Sequence, residues 1–131
     1  MKQGFVKVAS ATPRIRVADP VYNAQVICEQ AKEAAEHGAK IVVFPELCIT
    51  GYTCNDLFLQ ELLLEKAKEA LLTIAEETGQ LETLFLVGLP VDKDGRLYNV
   101  AAVLYRGRIL GMIPKKNIPM YAERSEEHTS E

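Results

Sequence analysis

Several things are scarce in this 131-residue chain, and each scarcity removes a class of function. No apolar run approaches the roughly 20 residues of a membrane-spanning helix. Neither sign of charge dominates: 15 Lys+Arg against 18 Asp+Glu leave a net charge of −3. That balance gives no electrostatic case for nucleic acid or an anionic membrane. The three cysteines, Cys28, Cys48 and Cys54, are odd in number and form no C-x-x-C pair. A disulfide framework is therefore not expected, and the cytoplasm is the expected setting. The two histidines, His37 and His128, lie far apart without metal-ligand spacing, so no metal site is expected. There is no glycine-rich phosphate loop. The stretch Met1 to Ala11 holds Lys2 and Lys7 but no long apolar core and no small-residue cleavage site, so no signal peptide is expected.

What the chain does have is the composition of an ordinary globular domain, 48% hydrophobic and 25% charged, and enough length for one real core. Residues 5–11 alternate as a strand. Asp19 is an N-cap candidate with Pro20 at the first helical position. Ala24, Ile27, Cys28, Ala31, Ala34 and Ala35 then recur on one helical stripe, which Gly38 ends. Cys28 on that stripe reads as a small core residue. Strand 40–44 follows, then a loop from Glu46 to Asn55. A second helix is expected from Asn55 or Asp56 to about Thr78, stopped by Gly79. A strand over 84–90 is expected to be closed by Pro90. A hairpin turn is centred on Asp94-Gly95, a strand spans 98–105, Arg106-Gly107-Arg108 turns, and a last strand spans 109–113. The order βαβαβββ argues an α/β layer with helices over one sheet face. The other face has no covering helix and must meet a sheet, a domain or further chain.

The most informative segment is Phe44-Pro45-Glu46-Leu47-Cys48-Ile49-Thr50-Gly51-Tyr52. It follows the apolar run Ile41-Val42-Val43, a buried strand by pattern. Pro45 cannot donate to a ladder and marks the strand's end. Glu46 thus stands at the carboxyl end of a strand, where chemistry collects in open α/β sheets. A carboxylate fixed there is a candidate general base; a solvated Glu is the plainer reading.

Three segments together resemble the nitrilase, or carbon–nitrogen hydrolase, superfamily: FPEL-x-x-TGY at 44–52, the passage Tyr98-Asn99-Val100-Ala101-Ala102-Val103, and Pro114-Lys115-Lys116-Asn117-Ile118-Pro119-Met120-Tyr121-Ala122-Glu123. The details Thr50-Gly51-Tyr52-Thr53-Cys54-Asn55-Asp56-Leu57-Phe58 and PK-x-x-(L/I)P-x-Y-x-E look like the amidase (glutaminase) domain of glutamine-dependent NAD⁺ synthetases. The resemblance runs through residues 5–123. It implies a partial nitrilase-type α-β-β-α sandwich, roughly the first half of such a domain, with residues 1–123 its N-terminal part.

The family uses a Glu–Lys–Cys triad. By motif, Glu46 matches the general base and Lys115 the oxyanion-stabilising lysine, three residues before Ile118-Pro119; Lys116 is the competing assignment. Glu123, eight residues beyond Lys115, resembles the glutamate that supports the lysine. Tyr52 and Tyr121 are candidate walls of a substrate pocket, or simply packing groups at a strand end. The chemistry accounts for these residue types. An amide is a poor electrophile, so a thiolate attacks it to form a thioester. The glutamate takes the thiol proton and gives it to departing ammonia. An ammonium stabilises the tetrahedral oxyanion.

The family nucleophile lies downstream of the lysine, and no cysteine follows Lys115. Cys48 and Cys54 occupy positions around the first glutamate that are not the nucleophile. The chain alone is therefore expected to be inactive. Residues Arg124-Ser125-Glu126-Glu127-His128-Thr129-Ser130-Glu131 are polar and aperiodic, and match the translation of AGATCGGAAGAGCACACGTCTGAA, a common sequencing-library adapter. They are read as adapter read-through at the end of a fragment and left out of the fold.

The resemblance implies a glutamine-hydrolysing NAD⁺ synthetase. Its amidase releases ammonia from glutamine, and a further domain uses ATP and Mg to amidate deamido-NAD⁺. No cofactor is expected within this segment; nucleic acid and membrane partners are not expected, and a homo-oligomer is. Two alternatives stand beside it. One is a stand-alone amidase of the superfamily acting on another small amide, which a downstream ATP motif would exclude. The other is a non-catalytic member serving as a binding or assembly module, which a downstream chain lacking the nucleophile would support.

Overall fold

A computed structural model describes residues 6–51 and 57–118. The elements run β1 (Val8–Ser10), α1 (Pro20–Glu36), β2 (Ile41–Val43), α2 (Leu57–Glu77), β3 (Leu84–Lys93), β4 (Arg96–Tyr105) and β5 (Arg108–Ile118). The strands form one mixed sheet in the order β1-β2-β3-β4-β5. The first three are parallel, joined by helical crossovers, and β3, β4 and β5 are an antiparallel meander. This is the α/β layer the element order implies.

Local chemistry sets the helix ends. The Asp19 carboxylate accepts from the Tyr22 amide at 3.2 Å, and Pro20 supplies the preset φ of the first turn. Gly38, at φ +89°, turns the chain out of α1. The expected start of α2 at Asn55 or Asp56 lies outside the described residues. Two-residue turns with both central φ positive, Asp94-Gly95 and Arg106-Gly107, close the two hairpins.

One face of the sheet carries the core. Register pairs Val42 with Phe85, Phe85 with Leu104, Val87 with Ala102 and Leu89 with Val100. These side chains meet Ile27 and Ala31 of α1 and Ala67, Leu71 and Ile74 of α2. The opposite face holds Val8, Val43 and Ile113, all exposed, and among the described residues no helix or second sheet covers it; only the loop after β2 lies against it at Gly88. Along α2 the buried stripe runs through Leu63, Ala67, Ala70, Leu71, Ile74 and Ala75, while Leu62 is 53% exposed.

β2 and β4 differ from expectation by two residues each, and three strands differ more. β1 is three residues rather than seven, because only Val8 to Ser10 have partners on β2. β3 runs through Pro90 to Lys93 rather than stopping at the proline. β2 ends opposite Leu86, so at Pro90 the strand has β4 on one side only, an edge setting in which proline is tolerated. β5 likewise passes Pro114 and reaches Ile118, as the last strand of the sheet.

Candidate active site

Glu46 is held by the way the chain leaves β2. The Phe44 amide donates to Leu86 O at 2.9 Å, one bond past the strand, and Pro45 then has no N–H to continue. Leu47 adopts φ +54°, a left-handed conformation costly for a branched side chain. Its carbonyl accepts from Thr50 N at 3.2 Å and Gly51 N at 2.7 Å, and Ile49 N donates to Gly88 O at 3.1 Å. The loop thereby lies directly on β3. A Cβ added to Gly88 would sit 2.5 Å from Leu47 N and 2.8 Å from Pro45 O, so only glycine permits this approach.

A second anchor comes from α1. Asn23 is fully buried, and its side chain accepts from Arg16 N at 2.7 Å and donates to Arg16 O at 2.7 Å and Ile49 O at 2.8 Å. Ala18 N adds a bond to Thr50 O at 2.7 Å. The segment before α1 and the loop after β2 are thus tied to each other.

The Glu46 side chain is exposed, but one oxygen is fixed: Asn99 Nδ2 donates to Glu46 Oε1 at 3.0 Å. Asn99 is only 1% exposed, and its Oδ1 is buried without a partner. Asn99 also connects Glu46 to β5. Asn99 pairs with Lys116 while Val100 pairs with Pro114, so Lys115 is the extra residue of a bulge. Bulges of this kind re-aim a side chain beside functional sites. The sheet thus brings Glu46 and the exposed Lys115 to one end, on either side of Asn99. Among the described residues no ion pair within 4.0 Å joins them. A carboxylate and a cation at one end of a sheet are residue types suited to proton transfer at a centre that develops negative charge.

Tyr52, Tyr121, Glu123 and Cys54 lie outside the described residues, as does the side chain of Lys116. Cys48, two residues from Glu46, is 1% exposed and its Sγ donates to Gly88 O at 3.7 Å. Burial pushes its thiol up to about 11, with backbone hydrogen bonds opposing. Burial, aided by the Glu77 carboxylate, likewise pushes the Cys28 thiol up to about 11. Both are buried, as expected for Cys28, and a raised thiol pKa disfavours the reactive thiolate.

Among the described residues, no group of three or more His, Cys, Asp or Glu is placed to hold a metal ion, and no helix is long and apolar enough to cross a membrane. A groove of about 420 Å³ lies between α1 and α2, lined by Cys28, Lys32, Lys66, Glu69, Thr73 and Glu77 among others, and contains neither Glu46 nor Lys115.

Sequence reasoning missed Gly88, Asn23 and Asn99 as parts of this site. Each left a signal: a glycine inside an apolar strand marks close approach of another backbone. An asparagine on a buried helical stripe, or inside an apolar strand, needs hydrogen-bond partners.

Comparison with known proteins agrees with this architecture. The family model described as Carbon-nitrogen hydrolase matches residues 7–130. The glutamine-dependent NAD(+) synthetase of Mycobacterium tuberculosis (strain H37Rv) is 38% identical over 122 residues, which are 93% of this chain and 18% of that protein. The enzyme of the same name from Thermotoga maritima is 34% identical over 121 residues, 92% of this chain and 20% of that protein. The chain therefore spans about a fifth of the length of these relatives. Among solved structures, a glutamine-dependent NAD(+) synthetase from Cytophaga hutchinsonii superposes with a TM-score of 0.78 at 29% identity, over 91% of this chain and 21% of that one. An amidase from Nesterenkonia sp. shares the fold at a TM-score of 0.70 and 24% identity, over 88% of this chain and 44% of that one. This chain belongs to the carbon–nitrogen hydrolase family.

Proposed function

We propose that this chain is the N-terminal part of the glutamine-hydrolysing domain of a glutamine-dependent NAD⁺ synthetase, with Glu46 as general base and Lys115 as the oxyanion-stabilising cation. The observation that carries this reading is the placement of Glu46 at a strand end, bonded to Asn99, with Lys115 at a bulge in the neighbouring strand. The sequence similarity to synthetases of that name supports the choice of substrate.

In this reading a cysteine downstream of Glu123 in the full-length protein attacks the glutamine carboxamide. Glu46 takes its proton and returns it to the departing ammonia, leaving a γ-glutamyl thioester. The thioester is then hydrolysed by water that Glu46 activates. Lys115 lies beside the oxygen on which charge accumulates. Glu123 supports the lysine, and Tyr52 and Tyr121 flank the substrate. ATP and Mg belong to the part of the protein that amidates deamido-NAD⁺, and no step here passes through them. Residues 124–131 are a non-native tail in this reading. The scarcity of paired cysteines supports a cytoplasmic protein, and the full-length enzyme is a homo-oligomer. The 131-residue chain, lacking the nucleophile, is inactive.

The test uses the full-length protein. Glu46→Gln lowers ammonia release from glutamine by about 10²–10⁴-fold, the range for a lost general base, while synthesis from deamido-NAD⁺ with free ammonium salt persists. Glutamine hydrolysis unaffected by Glu46→Gln, or ammonia release by the 131-residue chain itself, would overturn the reading.

A further inference from the structure

We propose that Asn99 is a positioning residue of the glutamine-hydrolysing site, fixing the carboxylate of Glu46 for proton transfer; this rests on Glu46 being the base. The two buried asparagines make the case by contrast. Asn23 satisfies its side chain three times, always with backbone atoms, as a structural residue should. Asn99 is nearly as buried, yet among the described residues its amide makes one bond, and that bond goes to an exposed carboxylate 53 positions away. Its Oδ1 is left without a partner. A residue serving only to fill β4 would be apolar, like Val100, Ala102 and Leu104, because a half-satisfied buried amide destabilises the fold.

The amide orientation follows from the chemistry. An ionised carboxylate only accepts, so the NH₂ end must face Glu46. A neutral donor leaves the carboxylate free to gain and lose a proton while its position stays fixed. Asn99 sits on the central strand of the antiparallel meander, with ladders to β3 and β5, so its Cα is rigidly held. The exposed glutamate, carried by a loop, borrows that rigidity. The bulge that singles out Lys115 begins at the same residue, so one asparagine sits between the two ionic groups.

The experiment measures glutamine hydrolysis by the full-length protein, with active sites counted by a diazoketone analogue of glutamine that alkylates the nucleophilic cysteine. Asn99→Leu is expected to lower kcat per titrated site by about 10–100-fold, as a misplacement of an ångström does, with KM for glutamine within about twofold. Asn99→Asp puts a second carboxylate against Glu46, and like charges resist joint ionisation, so the acid limb of kcat/KM moves to higher pH. Asn99→Ser, which keeps a donor hydroxyl, retains the wild-type limb and more activity than the leucine variant. A structural role alone would reduce the number of titratable sites and leave kcat per site and the pH profile unchanged; that result overturns the proposal. If Glu46→Gln abolishes hydrolysis but the Asn99 variants behave as wild type per site, only the positioning inference fails. If Glu46→Gln is active, the proposed function itself fails.

Discussion

Gly88→Ala is the most revealing perturbation, because it inserts one methyl group at the contact between β3 and the loop carrying Glu46. The new Cβ would lie 2.5 Å from Leu47 N, 2.8 Å from Pro45 O and 3.0 Å from Glu46 C, where ordinary contact begins near 3.4 Å. All three neighbours are backbone, so no side chain can rotate aside. The loop must retreat by close to 1 Å, yet Ile49 N is bonded to Gly88 O itself at 3.1 Å and the Asn23 amide grips Ile49 O at 2.8 Å. Overpacking of this kind costs about 1–3 kcal/mol. A shift of that size at the base also breaks the 3.0 Å bond from Asn99, and an ångström of misplacement lowers rates by about 10²-fold. In the full-length protein, Gly88→Ala should therefore cut glutamine hydrolysis by about two orders of magnitude and lower the temperature at which it is inactivated. Synthesis from free ammonium should be spared. Gly111→Ala is the matched control: nothing lies within 4 Å of its Cβ position, so it should be near neutral. Wild-type hydrolysis and heat resistance in Gly88→Ala would refute the claim that backbone contact at this glycine places Glu46.

Two further predictions concern groups outside the chemistry. Asn23→Ala strips three bonds from the segment before α1 and the loop after β2, leaving Arg16 N, Arg16 O and Ile49 O unpaired. It should destabilise the domain by roughly 2–4 kcal/mol, read as loss of hydrolysis at lower urea concentration. Cys48, with a thiol at about 11 against an ordinary 9.0, stays protonated in the fold where the unfolded chain would ionise. The stability it contributes is full below pH 9 and is lost as pH rises from 9 through 11, by roughly 2–3 kcal/mol. Urea titrations at pH 8 and pH 10.5 check this: Cys48→Ala should lose less stability between those values than wild type. An equal loss in both proteins would contradict it.

The layer architecture was readable because its signals are local. Asp19-Pro20, Gly38, Asp94-Gly95 and the apolar runs at 41–43 and 84–89 each act through the backbone of a few residues. The strand lengths were not, because whether Pro90 ends a strand depends on what lies on its far side. That is fixed by where β2 stops, 47 positions earlier, and not by the proline. Glu46 and Lys115 could be picked out as candidates from motifs, although the bulge that carries Lys115 lies beyond the expected end of the last strand. What holds Glu46 could not, since Gly88 and Asn99 reach it from 42 and 53 positions away, across strands whose pairing register no local pattern specifies.

The division of tasks among the strands explains why so many of these residues are needed. Glu46 leaves β2 and Lys115 sits on β5, with β3 and β4 between them in the sheet. Two ionic groups so separated cannot set each other's positions along the chain, and among the described residues no ion pair within 4.0 Å links them. Each intervening strand supplies a fixed point instead. On β3, Gly88 lets the loop lie against the sheet; on β4, the buried Asn99 bonds the carboxylate; and the register change beside Asn99 sets Lys115 apart. In the proposed function, two ionic groups placed through a rigid sheet keep their spacing without a direct ion pair, the condition under which a carboxylate could shuttle a proton while an ammonium stays free to meet an oxyanion.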